Sequence, residues 1–145
     1  MSTEKKTLDE WLDSVDYHYL NSPEYIPSEF ALSFMNFIKL VNGSNPESHK
    51  TPPVHLAMLD KVVQPMDYIA NLCSRGLAKT TLFMEYFCLY LAVFQELPNF
   101  GAVESMIYIG DSMENGVKSA RKNIEFRYNN SEFLKDVLPE ANFTD

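Results

Sequence analysis

Cysteine, basic residues and long apolar runs are scarce in this sequence, and each shortage argues against a class of protein. Cys73 and Cys88 are the only cysteines, and their spacing fits neither a zinc site nor a disulfide-rich scaffold, so we expect reduced thiols in a cytosol. Twelve basic against 20 acidic residues leave a net charge of -8, which argues against a passive nucleic-acid coat. The most apolar run, residues 82–94, contains Glu85 and is shorter than the roughly 20 residues of a membrane-spanning helix. We therefore expect a buried core helix there and no membrane association.

The chain does contain the material for one globular domain. Of its 145 residues, 46% are hydrophobic and 22% are charged, which is ample for a core. The turn-rich stretch NGSNPESHKTPP, residues 42–53, predicts the main boundary. We therefore predict an N-terminal helical segment over residues 1–50 and a unit of different character over residues 51–145.

Helical periodicity and capping signals predict several helices. A capping box near the start of the chain predicts a first amphipathic helix within residues 7–19. Ser28, after a proline, can cap a second helix that ends near Gly43. The stretch VHLAMLDKVV, residues 54–63, predicts a short helix, and residues 131–138 predict a last one that a proline stops. The second helix should bury an apolar face made of Phe30, Phe34, Phe37, Ile38 and Val41.

Two short apolar runs are typical of strands in a buried parallel sheet: YIANLC at residues 68–73 and SMIYIG at residues 105–110. A polar loop and the apolar helix lie between them. A further helix follows, and its predicted inward face consists of Met113, Val117, Ala120 and Ile124. The order strand, loop, helix, strand, helix allows parallel pairing. We therefore predict an α/β fold, a short parallel sheet with flanking helices, preceded by the N-terminal helical segment.

The loop between the first predicted strand and its helix, CSRGLAKT, has the spacing of a phosphate-binding loop. In such loops, backbone N–H groups at a helix N-terminus converge on phosphate oxygens. A lysine adds a mobile positive charge, and the following hydroxyl binds Mg²⁺. Lys79 and Thr80 stand at these two positions. The alternative is an ordinary loop in which Lys79 is solvated and Thr80 caps the helix.

The loop departs from the pattern at both glycine positions, which hold Cys73 and Ala78. We expect Ala78 to be the milder change, because a residue that enters a helix can carry a methyl group. Cys73 demands an ordinary backbone conformation where glycine would have been free, and Gly76 can supply flexibility instead. Arg75 adds a second fixed charge with a planar fork suited to pairs of oxygens, although a salt bridge to a nearby carboxylate explains it equally well.

These residues resemble a known family. CSRGLAKTT at residues 73–81 resembles the variant Walker A motif of tailed-phage terminase large subunits, which often has an arginine in the loop and in some cases alanine before the lysine. TPPVHLAMLDKV at residues 51–62 resembles the segment ahead of their ATPase core. MIYIGDSMENGVKSARKNIE at residues 106–125 resembles their second strand and helix. The resemblance covers about residues 51–140 and implies a truncated P-loop NTPase core.

The resemblance implies ATP and Mg²⁺ as ligands and assigns a role to each loop residue. Lys79 would contact the β- and γ-phosphates, Thr80 would hold Mg²⁺, and Thr81 would cap the phosphates. Arg75 would be the catalytic loop arginine, which senses or stabilises the γ-phosphate. The remaining contacts would come from the backbone of Ser74, Arg75, Gly76, Leu77 and Ala78.

Three other features have a structural as well as a functional interpretation. His55 lies where related ATPases place an adenine-contacting residue, and we favour a partly buried structural histidine. Asp111 follows the second predicted strand, at the edge where open α/β sheets bind ligands, but helix capping with Glu114 explains it more simply. A basic face could contact DNA, although solvated surface charge is the simpler interpretation of Lys118, Arg121 and Lys122.

Two parts of the terminase pattern are absent from the sequence. We find no apolar strand after the loop that ends in Asp-Glu, the Walker B element that supports Mg²⁺ and orients the attacking water. The acidic cluster of the nuclease domain is absent too. We therefore expect the N-terminal portion of a terminase large subunit, with nucleotide binding but negligible ATPase and no nuclease activity of its own.

The resemblance also implies partners and a location. The family is an ATP-driven motor that packages viral double-stranded DNA, and its partners are the portal protein and the small terminase subunit. It forms a ring oligomer in the host cell cytoplasm, transiently at the procapsid portal vertex. Two alternatives remain open at this point: another P-loop ATPase or helicase-like fragment, and a small acidic helical interaction protein without nucleotide chemistry.

Overall fold

The computed structural model describes residues 24–43, 52–65, 68–110 and 112–143, and within them the fold is mainly helical. Its α-helices are α1 (Glu29–Asn42), α2 (Pro53–Val62), α3 (Phe87–Phe94), α4 (Lys118–Asn129) and α5 (Glu132–Val137). Two π-helical segments lead directly into α3 and α4, namely π1 (Thr81–Tyr86) and π2 (Met113–Val117). An antiparallel pair supplies the strands of the described part, β1 (Glu96–Leu97) and β2 (Gly101–Ala102).

Helix α1 forms where the cap and the phenylalanine spacing predict it. The Ser28 side chain accepts a hydrogen bond from the Ala31 N–H at 3.1 Å, which satisfies one of the free donors at the helix start. Gly43, at the C-terminal cap, has a φ of 56°, which glycine adopts without strain. The predicted helix is confirmed, and its buried residues are Phe30, Ala31, Phe34, Met35, Phe37 and Val41.

The core is built from aromatic rings of α1 and α3. The rings of Phe34 and Tyr90 are 5.1 Å apart between centroids, and Phe37 meets Tyr90 edge-on at 5.4 Å. Leu59 from α2 and Leu134 from α5 close the core and are fully buried. All five α-helices therefore contribute to one hydrophobic cluster through buried or partly buried residues.

The two predicted strands are absent, so the predicted α/β fold with a parallel sheet is wrong for the described residues. Residues 68–74 and 103–110 have no regular secondary structure, and we call them the irregular segments. Tyr68 and Leu72 are more than 90% exposed. Neither 68–74 nor 104–110 makes a backbone–backbone hydrogen bond within the described part of the chain. A strand needs a neighbour for its N–H and C=O groups, and the described residues supply none.

The second irregular segment nevertheless keeps the alternation of an extended chain. Met106 and Tyr108 are 41% and 39% exposed, whereas Ile107 and Ile109 are 83% and 87% exposed. This period of two indicates that one row of side chains faces the protein and the other faces water. The inner row contacts α3, because the sulfur atoms of Cys88 and Met106 are 3.3 Å apart. Only one face of the segment is thus covered.

The other helix predictions have mixed outcomes. The helices predicted at residues 54–63 and 131–138 are confirmed as α2 and α5. The helix predicted after the second strand is confirmed as π2 and α4, where Ala120 is buried, but Met113 is 65% exposed and does not face inward as predicted. The first predicted helix, residues 7–19, and the Asp111 cap lie outside the described residues. The boundary at residues 42–53 stays a prediction.

Two further expectations concern the membrane and the thiols. No helix in the described ranges combines the length and the apolar character needed to cross a bilayer. Cys73 and Cys88 are free thiols, as expected from their spacing. Burial raises the pKa of the Cys88 thiol, which therefore stays protonated at neutral pH.

Candidate phosphate-binding loop

The loop of residues 73–78 joins the first irregular segment to a long helix. Cys73, at its start, is half-buried and packs against the core, with an ordinary negative φ. At its end, the Ala78 carbonyl accepts the first helical hydrogen bond, from the Leu82 N–H at 2.9 Å. The helix therefore begins at Lys79 and continues through π1 and α3 to Phe94. The loop is anchored by a packed thiol on one side and a helix on the other.

The backbone strain of the loop lies at Ala78. This residue has a φ of 48°, in the left-handed region, which costs an L-residue about 1–2 kcal/mol relative to the right-handed helix. Our expectation that Ala78 would be the milder replacement for glycine is therefore wrong, because Cys73 has no positive φ. Gly76, with a φ of 88°, supplies the predicted flexibility. Strained residues that persist in a fold are frequent at ligand-binding loops.

Lys79 turns back over the loop. Its Nζ lies 3.4 Å from the carbonyl oxygen of Ser74, a long and weak hydrogen bond. No carboxylate lies within ion-pair distance of Lys79 in the described part of the chain. The side chain is half-buried rather than fully solvated. Its positive charge is thus held at the loop without a neutralising partner among the described residues.

The first turn of the helix leaves backbone donors free. The N–H groups of Lys79, Thr80 and Thr81 make no hydrogen bond within the described residues. Thr80 already has helical φ and ψ, and its side chain makes no capping hydrogen bond. The alternative interpretation of Thr80 as a simple cap is therefore wrong. Free N–H groups and the helix dipole both favour an anion at this end.

The other predicted loop residues are open to solvent. Ser74, Arg75 and Gly76 are exposed, whereas Leu77 and Thr81 are half-buried. Arg75 makes no ion pair with a carboxylate in the described ranges, so the salt-bridge interpretation finds no support there. The structure therefore brings Ser74 and Lys79 together by a hydrogen bond and leaves the guanidinium of Arg75 in water.

Metal binding at this loop would depend on a phosphate ligand. The described part of the chain has no group of three or more His, Cys, Asp or Glu side chains that could hold a metal ion. Thr80 is exposed, and its hydroxyl would supply one oxygen ligand. Mg²⁺ commonly combines few protein ligands with substrate phosphate oxygens, so Thr80 fits Mg²⁺ only together with a bound phosphate.

His55, on α2, contacts the loop directly. Its Nε2 is 2.7 Å from the carbonyl oxygen of Leu77 and is half-buried there. The interpretation of His55 as a partly buried structural histidine is confirmed. The bond itself could not be predicted from local sequence, because it joins residues 22 positions apart.

A buried polar network that joins the long helix to α4 and α1 was missed from the sequence. Glu85 in π1 is only 5% exposed, and it accepts hydrogen bonds from Arg127 Nε at 2.6 Å and Asn123 Nδ2 at 3.0 Å. Arg127 also donates to the Tyr86 hydroxyl, which donates to Asn42 at 2.9 Å. The signal was present, since a carboxylate in an otherwise apolar run must find a partner when it is buried.

Two open cavities among the described residues lie away from this loop. One, of about 590 Å³, lies between α3 and residues 102–106, and another, of about 350 Å³, lies between α3, α4 and residues 138–143. None of the residues 73–81 lines either of them. The loop is therefore an exposed surface site, suited to a charged group rather than to an enclosed apolar ligand.

No family model, curated protein or solved structure matches this chain. The resemblance to terminase large subunits therefore rests on the sequence stretches within residues 51–140.

Proposed function

We propose that residues 73–81, the loop and the first turn of its helix, bind the phosphate groups of ATP together with Mg²⁺. We propose further that the chain is the nucleotide-binding portion of a terminase-type DNA-packaging motor. The observation that carries the proposal is the arrangement of Lys79. Its ammonium group lies over the loop, without a carboxylate partner in the described residues, at the start of a helix with free N–H groups. A cation, free backbone donors and a helix N-terminus are the groups that bind phosphate.

Phosphate binding at this loop does not require the parallel sheet. Phosphate oxygens would replace the weak 3.4 Å contact between Lys79 and Ser74 with short, charge-assisted hydrogen bonds. The N–H groups of Lys79, Thr80 and Thr81 would donate to the same phosphate, and the Thr80 hydroxyl would complete the Mg²⁺ ligands. Arg75 is free to approach the terminal phosphate from the solvent side.

The proposed role in DNA packaging is based on the sequence resemblance to terminase large subunits. In that role the partners are viral double-stranded DNA, the portal protein and the small terminase subunit, and the assembly is a ring at the procapsid portal vertex in the host cell cytoplasm. The sequence stretches within residues 51–140 are the support for this part of the proposal.

The test is the affinity of the wild-type chain for a fluorescent ATP analogue with Mg²⁺, compared with Lys79→Ala. A charge-assisted hydrogen bond contributes about 1.5–3 kcal/mol, so the variant should bind at least about tenfold more weakly. Lys122→Ala, which removes an exposed lysine from α4, is the matched control and should bind like wild type. Equal binding by wild type and Lys79→Ala would contradict the proposal.

A second candidate function is a small acidic helical interaction protein without nucleotide chemistry. The observation that favours it is the exposure of large apolar side chains along both irregular segments, together with a helical core. Contiguous exposed apolar surface is typical of sites where proteins associate. This function predicts no saturable ATP binding by any of the three proteins in the same assay.

A further inference from the structure

His55 and the phosphate loop are joined by a single defined contact. The imidazole Nε2 lies 2.7 Å from the Leu77 carbonyl oxygen. A carbonyl oxygen can only accept, so Nε2 must carry the hydrogen and donate it. Within the described ranges, this is the one side-chain hydrogen bond that reaches the loop of residues 73–78 from another element. Helix α2 thus holds the loop at Leu77.

This bond fixes the orientation of one peptide group. No peptide bond in the described residues is cis, so the Leu77 carbonyl and the Ala78 N–H point in opposite directions. With the carbonyl held by His55, the Ala78 N–H points away from the imidazole. That N–H makes no hydrogen bond within the described part of the chain. It is therefore an available donor, next in sequence to the free N–H groups of the helix start.

The same bond opposes a relaxation that the loop would otherwise favour. Ala78 has a φ of 48°, and an alanine prefers a negative φ. Rotation of the Leu77–Ala78 peptide would relieve this strain, but it would turn the Leu77 carbonyl away from His55. The hydrogen bond from His55 to the Leu77 carbonyl therefore opposes a return of Ala78 to a negative φ.

We infer that His55 is a positioning residue for phosphate binding: it holds the Leu77–Ala78 peptide so that the Ala78 N–H donates to the bound phosphate. The inference rests on the proposed function of the loop. It assigns His55 a task that needs only the phosphate part of the ligand. A contact between His55 and an adenine ring would instead depend on the base.

The choice of ligand separates these two roles. Binding of Mg²⁺-ATP and of Mg²⁺-tripolyphosphate, which has no base, is measured for wild type, His55→Leu and His55→Gln. His55→Leu removes the donor, and we expect both ligands to bind about three- to tenfold more weakly, the contribution of one hydrogen bond. His55→Gln keeps an N–H donor at similar reach and should bind both within about twofold of wild type. Thermal unfolding of each variant shows that it is folded.

The other outcomes overturn either the positioning role of His55 alone or the proposed function of the loop as well. A loss confined to Mg²⁺-ATP, with tripolyphosphate unaffected, overturns the positioning role. Unchanged binding of both ligands by His55→Leu also overturns it. Failure of both ligands to bind wild type overturns the proposed function of the loop, and the positioning role with it.

Two measurements need no ligand. In wild type, the ¹⁵N shifts of the His55 ring should show a protonated Nε2, whereas an unprotonated Nε2 overturns the inference because such a nitrogen cannot donate. In His55→Leu, the Ala78 Cα and Cβ shifts should lose their left-handed pattern, and His55→Gln should retain it. An unchanged Ala78 conformation in His55→Leu overturns the inference even if the loop binds phosphate.

Discussion

Two apolar parts of this chain have opposite surroundings. In the helical core, Phe34 and Leu59 are completely buried, whereas in the irregular segments Leu72 and Ile109 are almost fully exposed. Hydrophobicity does not distinguish them. Backbone hydrogen bonding does, because a helix pairs its N–H and C=O groups internally and a strand needs a neighbouring strand. Among the described residues, the apolar helices therefore assemble a core, whereas the apolar runs predicted as strands find no backbone partner.

The largest predicted effect is a loss of unfolding free energy that occurs in a core variant and not in a variant of the second irregular segment. Phe34→Ala removes a fully buried ring that contacts Phe30, Phe37, Phe87 and Tyr90. It should lower the free energy of unfolding by about 3–5 kcal/mol, measured by urea titration. The matched change in the irregular segment, Ile107→Ala, should alter it by less than about 0.5 kcal/mol. Comparable losses in the two variants would show that the segment is packed.

A somewhat smaller effect should come from the polar network within the core. Glu85→Leu leaves the mostly buried Arg127 without its carboxylate and should cost about 2–4 kcal/mol of unfolding free energy. Replacing both partners, with Glu85→Leu and Arg127→Met, should recover much of that loss. Urea titrations of wild type, the two single variants and the double variant give the coupling energy between Glu85 and Arg127. Additive losses would mean that the pair is not coupled.

The exposed segment should affect association more than stability. Ile107→Lys places a charge on its outer row and should lower self-association, measured as the concentration dependence of sedimentation, with less than about 0.5 kcal/mol change in unfolding free energy. Leu40→Lys is the matched control, because Leu40 is also exposed but belongs to a helix with a paired backbone. If both variants reduce association equally, exposed apolar area rather than the unpaired backbone is responsible.

The smallest predicted effect is a change in unfolding free energy at the loop of residues 73–78. Ala78→Gly removes the strain of a positive φ but increases the conformational entropy of the unfolded chain, and these effects partly cancel. We expect a stabilisation of about 0.5 kcal/mol in thermal or urea unfolding. Ala120→Gly, at a buried position inside α4, should instead destabilise by about 1 kcal/mol. Destabilisation by both variants would remove the case for strain at Ala78.

The elements that could be predicted from the sequence are those determined by local interactions. α1 was predicted because its Ser28 cap, its phenylalanine spacing and Gly43 are all local signals. The two predicted strands were wrong, because a run such as SMIYIG shows only that a strand would be stable in a sheet. Whether a neighbouring strand is present depends on the rest of the chain.

In the candidate site, too, features local in sequence could be predicted, whereas contacts between separate elements could not. The position of Lys79 at the start of a helix followed from motif spacing, and its contact with Ser74 lies within the loop. The bond from His55 to Leu77 joins two elements and has no local signal. The strain at Ala78 was misjudged because helix entry was assumed to begin one residue earlier than it does. Glu85 could have been predicted to find a buried partner, but not to pair with Arg127.

The π1 segment has a consequence for insertions and deletions in related sequences. In π1 the Phe87 N–H bonds to the Leu82 carbonyl, five residues back, where an α-helix would bond four residues back. A π segment therefore contains one residue more than the α-helical turn that could replace it. Loss of one residue from Thr81–Tyr86 would convert π1 to α-helix and keep both the loop and the core face of α3 in place. A homologue one residue shorter here would still align on both sides, with its single gap inside the helix.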